Sequence, residues 1–204
     1  MQDSFFFDAD KCIGCKACVM ACKDHHNSPL GINFRRVYQV VQGEWIKKDG
    51  MQIPCGVSSC SLSFACSHCE EPACQKACPK KAIEKDERGA VWINREKCVA
   101  CRVCIKKCPQ GAIAFNSKTH RPEKCDFCRE RQEQGLRPAC AAACPMRCLE
   151  VLSIEEILRR QQKDNTIFRF SGNTDTKPAF FIKPNRNVGK GAKGYRIRSM
   201  SEEL

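Results

Sequence analysis

The 204-residue chain has no apolar run approaching the roughly 18 residues of a membrane-spanning helix. Its opening, MQDSFFFDADKC, lacks the basic n-region and apolar h-region of a secretory signal; the start is acidic and only three phenylalanines stand together. The pair Arg35-Arg36 lies too far in, and without an h-region, to read as a twin-arginine signal. The expectation is therefore a protein with no signal peptide and no transmembrane helix of its own, exported, if at all, as the passenger of a partner. Histidine is scarce, with four in the chain. His25 and His26 are adjacent and so expected on different faces of a helix, and His68 sits inside a C-x2-C loop. No nucleophile–base–orienter constellation emerges, so the expected catalytic residues are none.

Acidic residues are also few, 23 against 35 basic ones, for a formal charge of +12. Such an excess suits a nucleic acid or a membrane surface. What the sequence has in abundance supplies a different reason for it. There are 19 cysteines, about nine per cent of the chain, a density usually found in secreted disulfide scaffolds. The odd count, the length and the missing signal all oppose that reading, and point to thiols kept reduced long enough to bind metal.

Sixteen of the cysteines sort into four groups. Cys12, Cys15, Cys18 and Cys22 form C-x2-C-x2-C-x3-C. Cys66, Cys69, Cys74 and Cys78 form C-x2-C-x4-C-x3-C-P. Cys98, Cys101, Cys104 and Cys108 form C-x2-C-x2-C-x3-C-P, the run found in bacterial ferredoxins. Cys125, Cys128, Cys140 and Cys144 form C-x2-C-x11-C-x3-C-P. Three thiolates at such short spacing wrap a loop around three corners of one cubane, and the fourth, on the next helical turn, reaches the neighbouring cluster. Zinc instead wants two separated C-x2-C knuckles on one tetrahedral ion, which only the fourth group could imitate. Four [4Fe–4S] clusters are expected. At about −2 each with their thiolates they would bring the formal +12 to roughly +4, which removes the argument for nucleic acid.

The repeats extend beyond the thiols. CPKKAIEK, CPQGAIAF and CPMRCLEV follow the last cysteines of groups two, three and four, and Lys11, Lys97 and Lys124 each precede a first cysteine. One unit, strand–cluster loop–short helix–strand, has been duplicated. Cys148 falls in the slot of Ala82 and Ala112, so it reads as a small buried side chain. Cys55 and Cys60, in the apparently irregular CGVSSC, read as free thiols, with a disulfide or a fifth metal site as the alternatives.

Groups two and three are separated by a charged turn and the strand-like GAVWI, the spacing of one compact two-cluster ferredoxin. Groups one and four are then left to pair. Exchanging fourth ligands within each pair gives four quartets: Cys12, Cys15, Cys18 and Cys144; Cys22, Cys125, Cys128 and Cys140; Cys66, Cys69, Cys74 and Cys108; Cys78, Cys98, Cys101 and Cys104. The expected fold is α+β, two ferredoxin-like modules with the second inserted within the first. Residues 1–58 would hold the first half of the outer module with connecting strands, 59–119 the inserted module and 120–163 the second half. Residues 164–204 would be an extended partner-binding tail around AFFIKPN. NFRRVYQVVQGEWI reads as a strand with a turn at Gly43, and SIEEILRRQQ as a helix opened by a Ser153–Glu156 capping box.

With these groups in place, CIGCKAC…ACKD, FRRVY, CSHCEEPAC…CP, CDFCRER…G…PAC…CP and IKPN resemble the iron–sulfur beta subunits of the dimethyl sulfoxide reductase family. The likeness covers nearly the whole chain, with FRRVY and FFIKPN favouring that branch. It implies an electron-transfer subunit, not catalytic alone, peripheral at the membrane, relaying electrons between an integral membrane quinol-oxidising subunit and a molybdopterin-containing catalytic subunit. It also implies that the Cys12 cluster lies toward the catalytic partner and the Cys98–Cys104 cluster toward the membrane. Nitrate reductase-type subunits replace the middle cysteine of the third group; Cys101 is present here, so four cubanes are implied. One departure is Lys23, where the other groups have proline after the last cysteine. The beta subunit of a formate dehydrogenase or another molybdenum oxidoreductase, a free-standing polyferredoxin, and a zinc-bound structural protein are the alternative readings.

Overall fold

The computed structural model describes residues 2–170, 174–187 and 195–199. The chain runs β1 (Asp3–Asp8), α1 (Ala17–His25), β2 (Arg36–Lys48), β3 (Met51–Phe64), α2 (Ala73–Lys76), β4 (Ile83–Lys85), β5 (Val91–Ile93), α3 (Val103–Lys107) and β6 (Ile113–Asn116). It continues through β7 (Arg121–Lys124), α4 (Arg129–Glu133), α5 (Ala139–Ala142), β8 (Leu149–Ser153), α6 (Ile154–Lys163), β9 (Phe168–Arg169), β10 (Phe180–Lys183) and β11 (Tyr195–Ser199). The architecture is α+β with few and mostly short helices. The repeated unit is visible: β5, loop, α3, β6 for group three, and β7, loop, α5, β8 for group four.

The main sheet has the order β8-β1-β10-β9, with β1 antiparallel to β8 and parallel to β10. Side chains alternate across a strand, so the three phenylalanines of β1 divide between two faces. Phe5 and Phe7 join Phe180, Ile182, Phe127 and several cysteines in the largest core. Phe6 joins Phe181, Ile157 and Ile167 beneath α6. A sheet packed on both faces explains why FFF is apolar at every position rather than alternating. From the segment 164–204, β10 supplies Phe180, Phe181 and Ile182 to the core of this sheet, all 5% exposed or less. FFIK is thus an internal strand, held by the Phe5↔Phe180 and Phe7↔Ile182 pairing.

β2 and β3 form a long antiparallel ribbon with β11 on its other edge. Gly43 is not its turn. It sits within β2 at a register shift between Gln42 and Glu44, with φ 132°, and a Cβ there would lie 3.0 Å from Val57. The turn is Asp49-Gly50, φ 52° and 81°, the double left-handed pair of a tight two-residue hairpin. CGVSSC is not irregular either, since Cys55 and Cys60 both lie on β3, paired opposite Glu44 and Val40. Four residues lie between them, and five steps along a strand span about 16 Å, well beyond disulfide reach; both thiols are free.

Two small hairpins, β4–β5 and β6–β7, complete the fold, and α1 packs on α5 as α2 packs on α3. Ser153 caps α6, its Oγ accepting from Glu156 N at 3.2 Å. The capping box is only half formed, because the Glu156 carboxylate turns to Arg160 instead. No helix among the described residues is long and apolar enough to cross a membrane.

Candidate metal centre

All four cysteine groups share a backbone device invisible in the sequence. The residue before the second cysteine has positive φ in each: Gly14 (69°), His68 (43°), Ala100 (55°) and Phe127 (68°). Three of these four are not glycine, and a non-glycine residue held there carries strain that the surroundings must offset. At Gly14 glycine is also required by space, since a Cβ would lie 2.5 Å from Ser61 Oγ.

A second device closes the groups that end in Cys-Pro. Ala82 N donates to Cys78 Sγ at 3.2 Å and Ala112 N to Cys108 Sγ at 3.4 Å. Cys144 receives the backbone N–H of Cys148 in the same way. Lys81, Gly111 and Arg147, each three residues past the last cysteine, are left-handed. Group one lacks this turn: with Lys23 in place of proline, α1 continues through Cys22 to His25. Lys23 uses the difference, its Nζ donating to Pro29 O, Ile32 O and Asn33 Oδ1.

These loops surround three small cavities. One is lined by Cys12, Cys15, Cys18 and Cys144. Another is lined by Cys66, Cys69, Cys74 and Cys108. The third is lined by Cys78, Cys98, Cys101 and Cys104. In each, three thiols come from one group and the fourth from another, as repeats of one unit should give. Cys22, Cys125, Cys128 and Cys140 are all buried, and charge on Cys140 and Cys128 acts directly on Cys22. Cys15 and Cys101 are the exposed members of their quartets; every other thiol in the four sets is at least half-buried.

The electrostatics of these sites call for bound negative charge. Burial pushes the Cys22, Cys74 and Cys128 thiols up to about 12, Cys69 to about 11, and Cys125 well above the usual thiol value. Such thiols stay protonated until a metal competes for the proton. Meanwhile two cations lie fully buried among them. Arg35 is 1% exposed; burial opposes its charge, but Cys140, Cys18, Cys125 and Cys22 more than restore it. Its Nη1 donates to Ser63 Oγ at 3.1 Å, its guanidinium carbon sits 4.4 Å from the Phe5 ring centre, and Nε and Nη2 have no partner among the described residues. Lys124 is held charged in the same way, against burial, by Cys66, Cys125 and Cys74. Two buried cations facing thiols would be strongly unfavourable in a metal-free protein. They fit anionic iron–sulfur groups, and the donor set fits as well: four thiols per site, one arriving from a neighbouring unit.

Cys148 lies at the Ala82/Ala112 position, as the repeat predicts, but it is not remote from the metal site. It lines the first cavity, its Sγ is 3.4 Å from Cys144 Sγ, and it hydrogen-bonds Cys12. That bond draws Cys12 down to about 6, and Cys148 itself is pushed upward, so Cys148 is the S–H donor. The equivalent positions in groups two and three are Ala82 and Ala112, which offer no ligand atom. Cys148→Ala is therefore expected to leave the iron content and the number of cluster signals in electron paramagnetic resonance unchanged; loss of the Cys12 cluster would show the alignment to be misleading.

His25 and His26 are not on different faces. His26 lies past the end of α1 (φ −95°, ψ 3°), and the two rings meet edge-on at 4.8 Å. His26 Nε2 reaches to 3.8 Å from Cys128 Sγ and 3.6 Å from Asp126. The sequence gives no hint of that approach, nor of Arg35 being buried.

Known proteins carry the same pattern. Residues 57–154 match a 4Fe-4S dicluster domain and residues 3–24 a 4Fe-4S binding domain, so the class is a ferredoxin-type [4Fe–4S] protein. The dicluster match spans groups two, three and four. Along most of its length the protein is similar to the B subunit of the anaerobic dimethyl sulfoxide reductase of Escherichia coli, 37% identical over 186 residues, 91% of this sequence and 90% of that one. The corresponding B subunit of Haemophilus influenzae is 35% identical over 185 residues, with the same shares of the two sequences. The B subunit of the polysulfide reductase of Wolinella succinogenes is 33% identical over 194 residues, 89% of this sequence and 94% of that one. The protein belongs to this family of reductase iron–sulfur B subunits.

Proposed function

We propose that the chain is the electron-transfer subunit of an anaerobic respiratory reductase of the dimethyl sulfoxide reductase type. Its four [4Fe–4S] clusters are held by the quartets Cys12/Cys15/Cys18/Cys144, Cys22/Cys125/Cys128/Cys140, Cys66/Cys69/Cys74/Cys108 and Cys78/Cys98/Cys101/Cys104. When bound, such clusters take up and release one electron at a time. The protein's own residues fix the spacing, exclude water and supply compensating charge.

The observation that carries the reading is the arrangement of thiols in a row with an exposed member at each end. Cys15 marks one end and Cys101 the other. Cys18 and Cys22 share α1, linking the first two sites, and Arg35 responds to thiols of both. Lys124 responds to Cys125 of the second and to Cys66 and Cys74 of the third. The packing of α2 on α3, carrying Cys74 and Cys104, joins the third to the fourth. A row with two accessible ends suits a relay between two partners; a storage protein or isolated enzyme has no need of it. The partners are a molybdopterin-containing catalytic subunit at the Cys15 end and an integral membrane quinol-oxidising subunit at the Cys101 end, which makes the protein peripheral at the membrane. The same pairing supports nested modules, residues 59–119 within 1–58 and 120–163, since β1 at one end of the sequence pairs with β8 near the other.

Iron analysis of the anaerobically purified protein is expected to approach about sixteen atoms per molecule, four for each cubane. Stoichiometric zinc with little iron would overturn the reading. Full iron in a protein that purifies without any partner would instead support a free-standing polyferredoxin.

A further inference from the structure

His68 touches both halves of the proposed row. It belongs to the second cysteine group and lines the cavity of Cys66, Cys69, Cys74 and Cys108. Its Nε2 lies 3.5 Å from Cys125 Sγ, a thiol of the other module. The imidazole is 1% exposed.

The ring's hydrogen-bonding state follows from its other nitrogen. Val91 N–H donates to His68 Nδ1 at 3.0 Å, so Nδ1 is an acceptor and carries no proton. In a neutral imidazole the proton then resides on Nε2, which points at the Cys125 sulfur. The backbone is fixed too, by the left-handed φ of 43° and by Gln2 Nε2 donating to His68 O at 2.8 Å. Phe127 and Phe5 pack against the ring at 4.7 and 6.4 Å between centroids. An aromatic hydrocarbon would meet those packing contacts equally well. What histidine adds is an acceptor for Val91 and a donor for sulfur.

We infer that His68 is a positioning residue for electron transfer: its Nε2–H hydrogen bond to Cys125 raises the reduction potential of the second cluster and ties that site to the wall of the third. This rests on the ligand assignment proposed above. A hydrogen bond to a ligating thiolate favours the more negatively charged, reduced state, so its loss lowers the potential. Lys124 supplies the fixed positive charge at the same seam, its Nζ donating to Cys125 O at 2.7 Å and to Val91 O. One neutral donor and one cation thus bracket Cys125 from the side of the third site.

The test is a redox titration followed by electron paramagnetic resonance on the full-length protein in its complex. Cys125→Ser first identifies which signal belongs to the second site. His68→Phe is expected to move the midpoint of that signal downward and to leave the Cys12 and Cys101 signals in place. His68→Gln, which retains an N–H donor, is expected to recover part of the shift. An unchanged midpoint in His68→Phe at full iron content would overturn the inference, as would an equal shift of all four signals. If His68→Phe loses the cluster, protein with unaltered His68 decides the matter. With ¹⁵N-labelled histidine, a nitrogen hyperfine coupling on the Cys125 signal supports the bond and its absence rejects it. That measurement is made in a His25→Asn, His26→Asn background, because both histidines stand near Cys128 of the same site. Failure of the ligand reading looks different: Cys125→Ser would then leave every cluster signal intact, whatever His68 does.

Discussion

A variant carrying both Phe180→Ala and Phe181→Ala is expected to lose its main sheet and the iron sites built on it. Phe180 is completely buried and Phe181 is 1% exposed. They are adjacent on β10 and so point to opposite faces. Phe180 stands against the Phe64 and Phe170 rings in the core that also holds Phe5, Phe7 and cysteines of groups one, two and four, and Phe181 belongs to the core of Phe6, Ile157 and Ile167. Each buried Phe→Ala change costs about 3–5 kcal/mol. The two side chains belong to separate cores but are neighbours on one strand, so the double change should cost more than either alone without being strictly additive. A domain is stable by only about 5–15 kcal/mol, and bound metal raises that figure only while the sites remain formed.

The double variant should therefore show a large fall in melting temperature and reduced iron. The signal of the Cys78/Cys98/Cys101/Cys104 site should persist longest, since its walls include Ile83 and Ile93 from a separate core. Each single variant should lie between the double variant and the unaltered protein. A double variant that keeps full iron and melts within a few degrees of the unaltered protein would mean that β10 is a loosely attached drape.

This strand also shows where sequence reading stops. The four thiol groups were legible because ligand spacing is a local geometric demand, met within a few residues and repeated four times. The capping serine of α6 was legible for the same reason. The place of FFIK was not, since its partners Phe5 and Phe7 lie about 175 residues away in sequence and no local period announces a parallel pairing across that distance. Arg35 was illegible for a related reason. Its neighbour Arg36 is partly exposed with the same chemistry, and only the alternation of the backbone entering β2, together with four thiols from distant groups, makes one arginine internal. Gly43 misled because a glycine in a strand-like run signals a bulge as readily as a turn. Cys55 and Cys60 misled because serine and glycine dilute a strand whose register is fixed by β2, not by its own composition.

Cys101→Ser is expected to damage one site while sparing the module that holds Cys125. Cys101 is the exposed corner of the cavity it shares with Cys78, Cys98 and Cys104, while Cys104 is buried. The residues on either side of it, Ala100 and Arg102, are both left-handed, with φ 55° and 62°, so the loop turns the second thiol outward while the first and third hold the wall. Arg102 is in turn held by its guanidinium, 3.6 Å from the Phe115 ring. Replacing one sulfur by oxygen leaves this frame intact and removes a single soft ligand. Three thiolates persist, so a three-iron remnant is the expected product, seen as a changed signal and a loss of about one iron per molecule. Three-iron centres generally sit at higher potential, which would place an electron trap at the end proposed to face the quinol. Turnover of the complex driven by quinol should fall further than turnover driven by a dye that reduces the catalytic subunit directly. The Cys22/Cys125/Cys128/Cys140 signal should be unchanged, because that quartet shares no thiol with the altered site. A change confined to that signal would break the proposed pairing of groups two and three, and the order of the row would have to be redrawn.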